Sequence, residues 1–244
     1  MDKLVTVIIP TYNRFEYLQN AIKSVVNQTY RPIELIIVND KSTDNRYYEY
    51  NFQLMLTNTK DISLLVFNCQ KSTKEELGYP CGAVPRNQGI SISKGYYISF
   101  LDDDDIWMPD KLSTQINKME LHNIQFSCTD GYIGSGFYNS EQNYPIYNKQ
   151  YYWEVLKKKL NLEHDYPDFL NLDLIQKHNI IITSSVVLTK QLVNSVGKME
   201  LIPNGGKIIN GIKDWQDWNY WRKCLKQEKK CLYVKNPLFY YDLK

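Results

Sequence analysis

Two apolar, largely β-branched runs, Leu4-Val-Thr-Val-Ile-Ile-Pro10 and Ile33 to Val38, constrain this chain more than any other feature. A strand apolar on both faces has no side to offer water, and parallel strands covered by crossover helices meet that demand. Between the runs, from Glu16 to Asn27, Leu18, Ile22, Val25 and Val26 recur at helical spacing, and Pro32 precedes the second run. The spacing predicts a β-α-β unit whose first strand is central.

The alternation continues. Ser63 to Phe67 reads as a third strand, Ala83 to Ser93 as a helix, and Tyr96 to Leu101 as a fourth strand running into Asp102-Asp-Asp-Asp105. Pro109 to His122 is a helix with proline near its start, and Phe126 to Gly136 a strand and turn. In open sheets of this kind ligands bind beyond the carboxyl ends of the strands. The loops at Thr11 to Arg14, Asn39 to Asp44 and Asp102 to Asp105 are therefore expected along one edge. After about residue 137 the pattern loosens: Tyr138 to Asp173 is rich in Tyr, Asn and Lys, and Ile180 to Leu188 is strand-like. Pro203 to Gly211 reads as a glycine-rich loop, and Trp215 to Leu225 as a helix.

Composition removes several classes of function. With 43% hydrophobic and 23% charged residues the chain should fold on its own, and a net charge of +2 gives no general field for nucleic acid. Five cysteines without a CxxC pair argue against a zinc site or a disulfide framework. His122, His164 and His178 lack ligand spacing, Met1 to Pro10 lacks the features of a signal peptide, and no apolar run reaches membrane-spanning length. The expectation is a cytoplasmic protein without a transmembrane segment. A peripheral membrane contact through an amphipathic Tyr151 to Leu160 is the variant to consider.

Four adjacent carboxylates at a strand end repel one another unless something positive is bound there. Hard oxygen ligands favour Mg²⁺ or Mn²⁺, ions that commonly bridge one or two carboxylates to substrate phosphates. An acidic turn capping the next helix is the plainer reading of the same residues.

Context decides between them. Val7-Ile-Ile-Pro-Thr-Tyr-Asn-Arg14, Gln28-Thr-Tyr30, Val38-Asn-Asp-Lys-Ser-Thr-Asp44, Arg86-Asn87 and Phe100-Leu-Asp-Asp-Asp-Asp-Ile-Trp-Met-Pro-Asp110 occur in this order, followed by Thr183-Ser-Ser185 and Gln216-Asp-Trp-Asn-Tyr-Trp221. The ordered set closely resembles the family 2 glycosyltransferases of the GT-A fold. That resemblance implies one α/β domain over residues 1–244: a Rossmann-like, mostly parallel central sheet flanked by helices, with a more irregular C-terminal acceptor region. Residues 1–122 would bind nucleotide and metal, and residues 123–244 the acceptor.

Carried residue by residue, the resemblance puts Pro10, Thr11, Tyr12 and Arg14 around the nucleotide base, and Asn39 with Asp40 at the acidic pair that reads it. Asn39 stands where the family usually has a first Asp. Arg86 faces the nucleotide or its phosphates. Asp102 or Asp103 touches the ribose, Asp104 (with Asp102 as a further candidate) ligates Mn²⁺ or Mg²⁺, and Asp105 lies behind them. Asp217 is the general base of an inverting transfer, with Asp214 as rival. Trp215, Trp218, Thr183 and Ser184 fall in the acceptor and sugar region, with one tryptophan of the Trp215, Trp218, Trp221 series expected at the solvent face. The implied donor is a nucleotide-diphosphate sugar, UDP-linked by resemblance, and the acceptor a glycan, glycoprotein or lipid-linked hydroxyl. A nucleotidyltransferase would want a glycine-rich loop after the first strand, which Pro10-Thr-Tyr-Asn13 is not. A degenerate sugar-nucleotide binding module would be supported by Asn39 and Gln216 alone.

Overall fold

The computed structural model describes residues 2–243 apart from Asn58, Trp153, Glu154, Leu156, residues 159–165, Asn204, Gly205, Asn210 and Gly211. The expected contact over residues 151–160, Trp153 and His164 thus lie wholly or partly outside the described residues.

Strand β1 (Val5–Thr11) is followed by helix α1 (Phe15–Val26), β2 (Ile33–Asn39), a short helix α2 (Arg46–Glu49) and β3 (Ile62–Asn68). Next come α3 (Thr73–Leu77), α4 (Ala83–Ile92), β4 (Tyr97–Phe100), β5 (Ile106–Trp107), α5 (Lys111–His122) and β6 (Phe126–Gly134). The rest comprises β7 (Phe169–Asn171), α6 (Leu172–Lys177), β8 (Val187–Thr189), α7 (Lys190–Val196), a β9–β10 hairpin (Lys207–Ile209, Ile212–Asp214), α8 (Gln216–Glu228) and β11 (Lys230–Asp242). One sheet of order β3-β2-β1-β4-β8-β6-β11-β5 runs through both halves of the chain.

Its first four strands are parallel, with β1 between β2 and β4. Every residue of β2 is buried, as its unbroken apolar run requires. Alternate side chains of β1 serve opposite layers. Val5, Val7 and Ile9 pack with Leu18, Ile22 and Val25 of α1 and Leu112, Ile116 and Met119 of α5. Ile8 packs with Ile36, Phe100 and Trp221 on the other face. Gly89 of α4 lets that helix approach closely, since a Cβ there would lie 2.5 Å from Ile8 Cγ2.

Beyond β4 the parallel order ends: β8 is antiparallel to both β4 and β6, while β11 runs parallel to β6 and antiparallel to β5 and β7. The expected strand over Ile180 to Leu188 is shorter, because Thr183–Ser185 form a 3₁₀ turn before β8. The Ser185 hydroxyl donates back to the Ile182 carbonyl, closing that turn. Part of the expected loop Pro203 to Gly211 is the strand β9. Among the described residues no helix is long and apolar enough to cross a membrane.

Candidate functional site

A cleft of about 630 Å³ opens beyond the carboxyl ends of β1, β2 and β4. Of the residues expected to form a site, Pro10, Thr11, Tyr12, Arg14, Asp40, Arg86, Asp102, Asp103, Asp104, Thr183, Trp215 and Asp217 all line it.

The acidic turn is held from both sides by arginines. Arg14 Nη1 reaches Asp103 Oδ1 at 3.1 Å and Asp104 Oδ2 at 2.7 Å. Arg86, buried in α4, pairs through Nη2 with Asp102. Gly82 makes room for that guanidinium, since a Cβ there would lie 2.6 Å from Arg86 Nη1. Asp103 also accepts from Thr11 Oγ1 at 2.7 Å. Burial, reinforced by Asp104 and opposed by Arg14, pushes its carboxyl up to about 6.

Behind the turn, Asp105 is fully buried and joins three distant segments. Its Oδ2 accepts from Ser184 Oγ at 2.5 Å and its Oδ1 from the Asp242 amide at 3.1 Å. Ser184 Oγ in turn accepts the Asp102 amide at 3.0 Å, and the Ser184 carbonyl accepts Trp107 Nε1 at 2.8 Å. Burial, then the neighbouring Asp104 and Asp102, raise Asp105 well above the usual carboxylate range. Ser184, expected in the acceptor region, is thus a buried brace beneath the cleft. Its Oγ is spent on Asp102 and Asp105.

Asn39 departs from expectation in the same way. It is fully buried below the cleft wall, its Oδ1 accepting the Ser42 amide and its Nδ2 donating to Asn68 Oδ1, both at 2.9 Å. Asp40 does reach the wall, where both of its oxygens hold Thr73 at the start of α3, at 2.9 Å to the amide and 2.7 Å to the hydroxyl. Burial raises this carboxyl above its ordinary value, against the hydrogen bonds from Thr73.

In the same cleft, Asp217 in the first turn of α8 accepts the Trp218 amide at 2.8 Å and Asn179 Nδ2 at 3.3 Å. Burial raises its carboxyl above the ordinary value, while the amide of Trp218 and the nearby Arg86 oppose the shift. The rival Asp214 is not part of the cleft lining. It is ion-paired with Arg222 at 2.5 Å and accepts Asn219 Nδ2 at 3.2 Å.

The three tryptophans separate by exposure. Trp221 is core, Trp218 is half-buried with Nε1 donating to the Ile175 carbonyl at 2.6 Å, and Trp215 lines the cleft at 39% exposure. Trp218, expected beside Trp215 in the sugar region, is outside that lining.

Several lining residues went unread in the sequence. Ser72 to Leu77 carries a capping box, Ser72 with Glu75, that its S-x-x-E spacing could have revealed. Cys81 and Gln216 also face the cleft, as do Tyr241 and Asp242 at the end of β11.

A divalent cation fits the donor set, which is all oxygen and carries several carboxylates. Asp242 Oδ1 accepts the Gly136 amide at 2.7 Å, whereas its Oδ2 is buried without a hydrogen-bond partner. Among the described residues no three acidic, cysteine or histidine side chains are already gathered around one point. Asp103 and Asp104 are instead drawn to Arg14, and Asp102 to Arg86.

A family model described as Glycosyl transferase family 2 matches residues 6–50 and 82–178. Over 136 residues, 55% of this chain, the sequence is 36% identical to the Escherichia coli UDP-Glc:alpha-D-GlcNAc-diphosphoundecaprenol beta-1,3-glucosyltransferase WfaP. The chain spans about half the length of that relative, and as little as 17% of another. Among solved structures, S. aureus TarS 1-349 in complex with UDP-GlcNAc superposes with a TM-score of 0.65 at 16% identity, over 98% of this chain and 58% of that one. The mannosyltransferase PcManGT from Pyrobaculum calidifontis, in complex with GDP-Man and Mn²⁺, gives 0.66 at 13% identity, over 100% and 58%. At such identities it is the GT-A fold that is shared.

Proposed function

The chain belongs to glycosyl transferase family 2, and from that premise we propose that it is an inverting glycosyltransferase moving a sugar from a nucleotide-diphosphate donor to an acceptor hydroxyl. One observation carries the reading: a metal-type acidic turn, Asp102 to Asp104, and a buried carboxylate at a helix start, Asp217, line the same cleft. Arg86, ion-paired with Asp102, also feels the charge of Asp217.

The donor nucleotide lies against Pro10, Thr11, Tyr12 and Asp40, with its diphosphate toward Asp102 to Asp104. Asp104, with Asp102, would hold Mn²⁺ or Mg²⁺, which when bound neutralises charge on the departing diphosphate. Asp242, whose buried Oδ2 has no hydrogen-bond partner, adds a further carboxylate oxygen to the lining. Arg86 pairs with Asp102 and partly offsets the burial of Asp217, because a buried cation favours the charged form of a neighbouring carboxyl. Asp217 takes the proton of the acceptor hydroxyl as its oxygen attacks the anomeric carbon. The bond from that carbon to the phosphate oxygen breaks, and its electron pair leaves with the nucleoside diphosphate. Trp215 offers an exposed indole face for a sugar ring.

UDP is the preferred donor base in this reading, since WfaP is named for UDP-Glc and the TarS complex holds UDP-GlcNAc. A saccharide carried on a lipid diphosphate is the corresponding acceptor class, by the specificity for which WfaP is named. A reducing, cytoplasmic setting is compatible with the five free cysteines.

The test is a screen of nucleotide sugars for metal-dependent release of nucleoside diphosphate. One donor should be turned over, and Asp104→Ala should abolish metal-dependent donor binding. If no donor binds with Mn²⁺ or Mg²⁺ the reading fails, and donor binding without turnover across varied acceptors would leave a binding module in its place.

A further inference from the structure

A second groove of about 430 Å³ lies on the other side of Asp104, which lines both cavities. Its floor is a polar stripe on α1. Tyr17, Asn20, Ser24 and Asn27 recur three and four residues apart and line the groove, while Leu18, Ala21, Ile22 and Val25 turn into the core. The facing wall comes from the segment after β6, where Phe137 is 54% exposed yet lies against Tyr17 with ring centroids 4.5 Å apart and planes at 32°. Tyr138 continues that wall and is itself fixed, stacked on Tyr144 at 5.6 Å and packed against Tyr240 at 5.3 Å.

We propose that this groove binds a neutral saccharide, the sugar-bearing part of the acceptor, as an extension of the cleft past Asp104. The inference rests on the transferase reading of that cleft. Its chemistry selects the occupant. Ring faces suit the apolar faces of pyranose rings. The side-chain amides of Asn20 and Asn27 and the hydroxyl of Ser140 each both donate and accept, as vicinal hydroxyls demand. A lipid chain would leave those amides without partners when it dried the groove. A polyanion would find one cation, Lys23, in the described lining. Asp104, common to both linings, supplies the direction, because a chain lying here meets the donor cleft beside the acidic turn.

The experiment is saturation-transfer NMR on the full chain with a panel of neutral di- and trisaccharides, including chitobiose, cellobiose and lactose, with and without saturating UDP and Mn²⁺. At least one saccharide should receive saturation in the presence of UDP. Phe137→Ala and, separately, Asn20→Ala should weaken its binding about tenfold, with UDP affinity by calorimetry unchanged. Displacement of the saccharide by UDP, indifference to both substitutions, or no binding across the panel each overturns the proposal. The two readings fail separately: UDP binding without any saccharide binding removes this inference alone, whereas loss of UDP binding removes the transferase reading beneath it.

Discussion

The two sides of the cleft are built to different standards. The side expected to hold nucleotide stands on four parallel strands, of which β1, β2 and β4 are buried on both faces, and its loops leave those strands at the same edge. The other side, with Thr183, Trp215 to Asp217 and Tyr241 to Asp242, depends on a 3₁₀ turn, a two-stranded hairpin, the first turn of a helix and a strand with two register shifts. Where many strands share one register, a loop's position follows from the sheet. Where short pieces meet, it follows from individual hydrogen bonds, of which Ser184 to Asp105 is the clearest.

This contrast can be broken by substitution. The largest effect belongs to Asp217→Asn, which should lower turnover by about 10²- to 10⁴-fold with nucleotide binding intact, as measured by steady-state rates beside calorimetry. The wild-type rate should also rise with pH along an acid limb set by Asp217. Its carboxyl is held above the ordinary value by burial, so the base is protonated and idle at low pH and gains function as the proton leaves. A pH profile of kcat/KM should show that limb above the usual carboxylate range, and the residual rate of the Asn variant should lack it.

Ser184→Ala comes next, because it leaves a buried Asp105 oxygen and the Asp102 amide without partners. A loss of about 1–3 kcal/mol is expected in denaturant unfolding, together with weaker donor binding, and Ser184→Thr should recover much of both. An unchanged donor affinity would mean that the two sides are independent.

The smallest effect is expected of Asn39→Asp. The carboxylate still accepts the Ser42 amide, and Asn68 can turn its own amide to donate, so both hydrogen bonds persist and donor affinity by calorimetry should be unchanged. Preference between UDP and GDP donors should not change, since residue 39 is below the wall it was expected to form.

The same contrast governs what the sequence disclosed. Continuous apolar runs and helical spacing were enough to find β1, α1, β2, β4 and the carboxylates that follow β4, because burial on two faces leaves an unmistakable composition. β11 went unread, since Lys235-Asn236-Pro237 in its middle resembles a turn. The structure absorbs those residues at register shifts on either side of Pro237. The motif singles out Asp217, which lines the cleft, while the pairing of Asp214 with Arg222 is invisible in the sequence. An acidic residue three positions away looks equivalent until the helix shows which carboxylate meets a cation eight residues on. Asn39 and Ser184 were misplaced for a related reason. A motif names the residues near a ligand without saying which of them touch it.

The position of β11 also bears on how the molecule is made. This strand pairs with β6, β7 and β5, and its last residue anchors Asp105 from 137 positions away. Contacts that distant in sequence form slowly, because the intervening loop must close before they give anything back. During synthesis the four parallel strands emerge before β11 exists, so a nascent chain holds its acidic turn without the Tyr241–Asp242 wall. Completion of the cleft is therefore a late folding event, which waits until the sheet has accepted that strand.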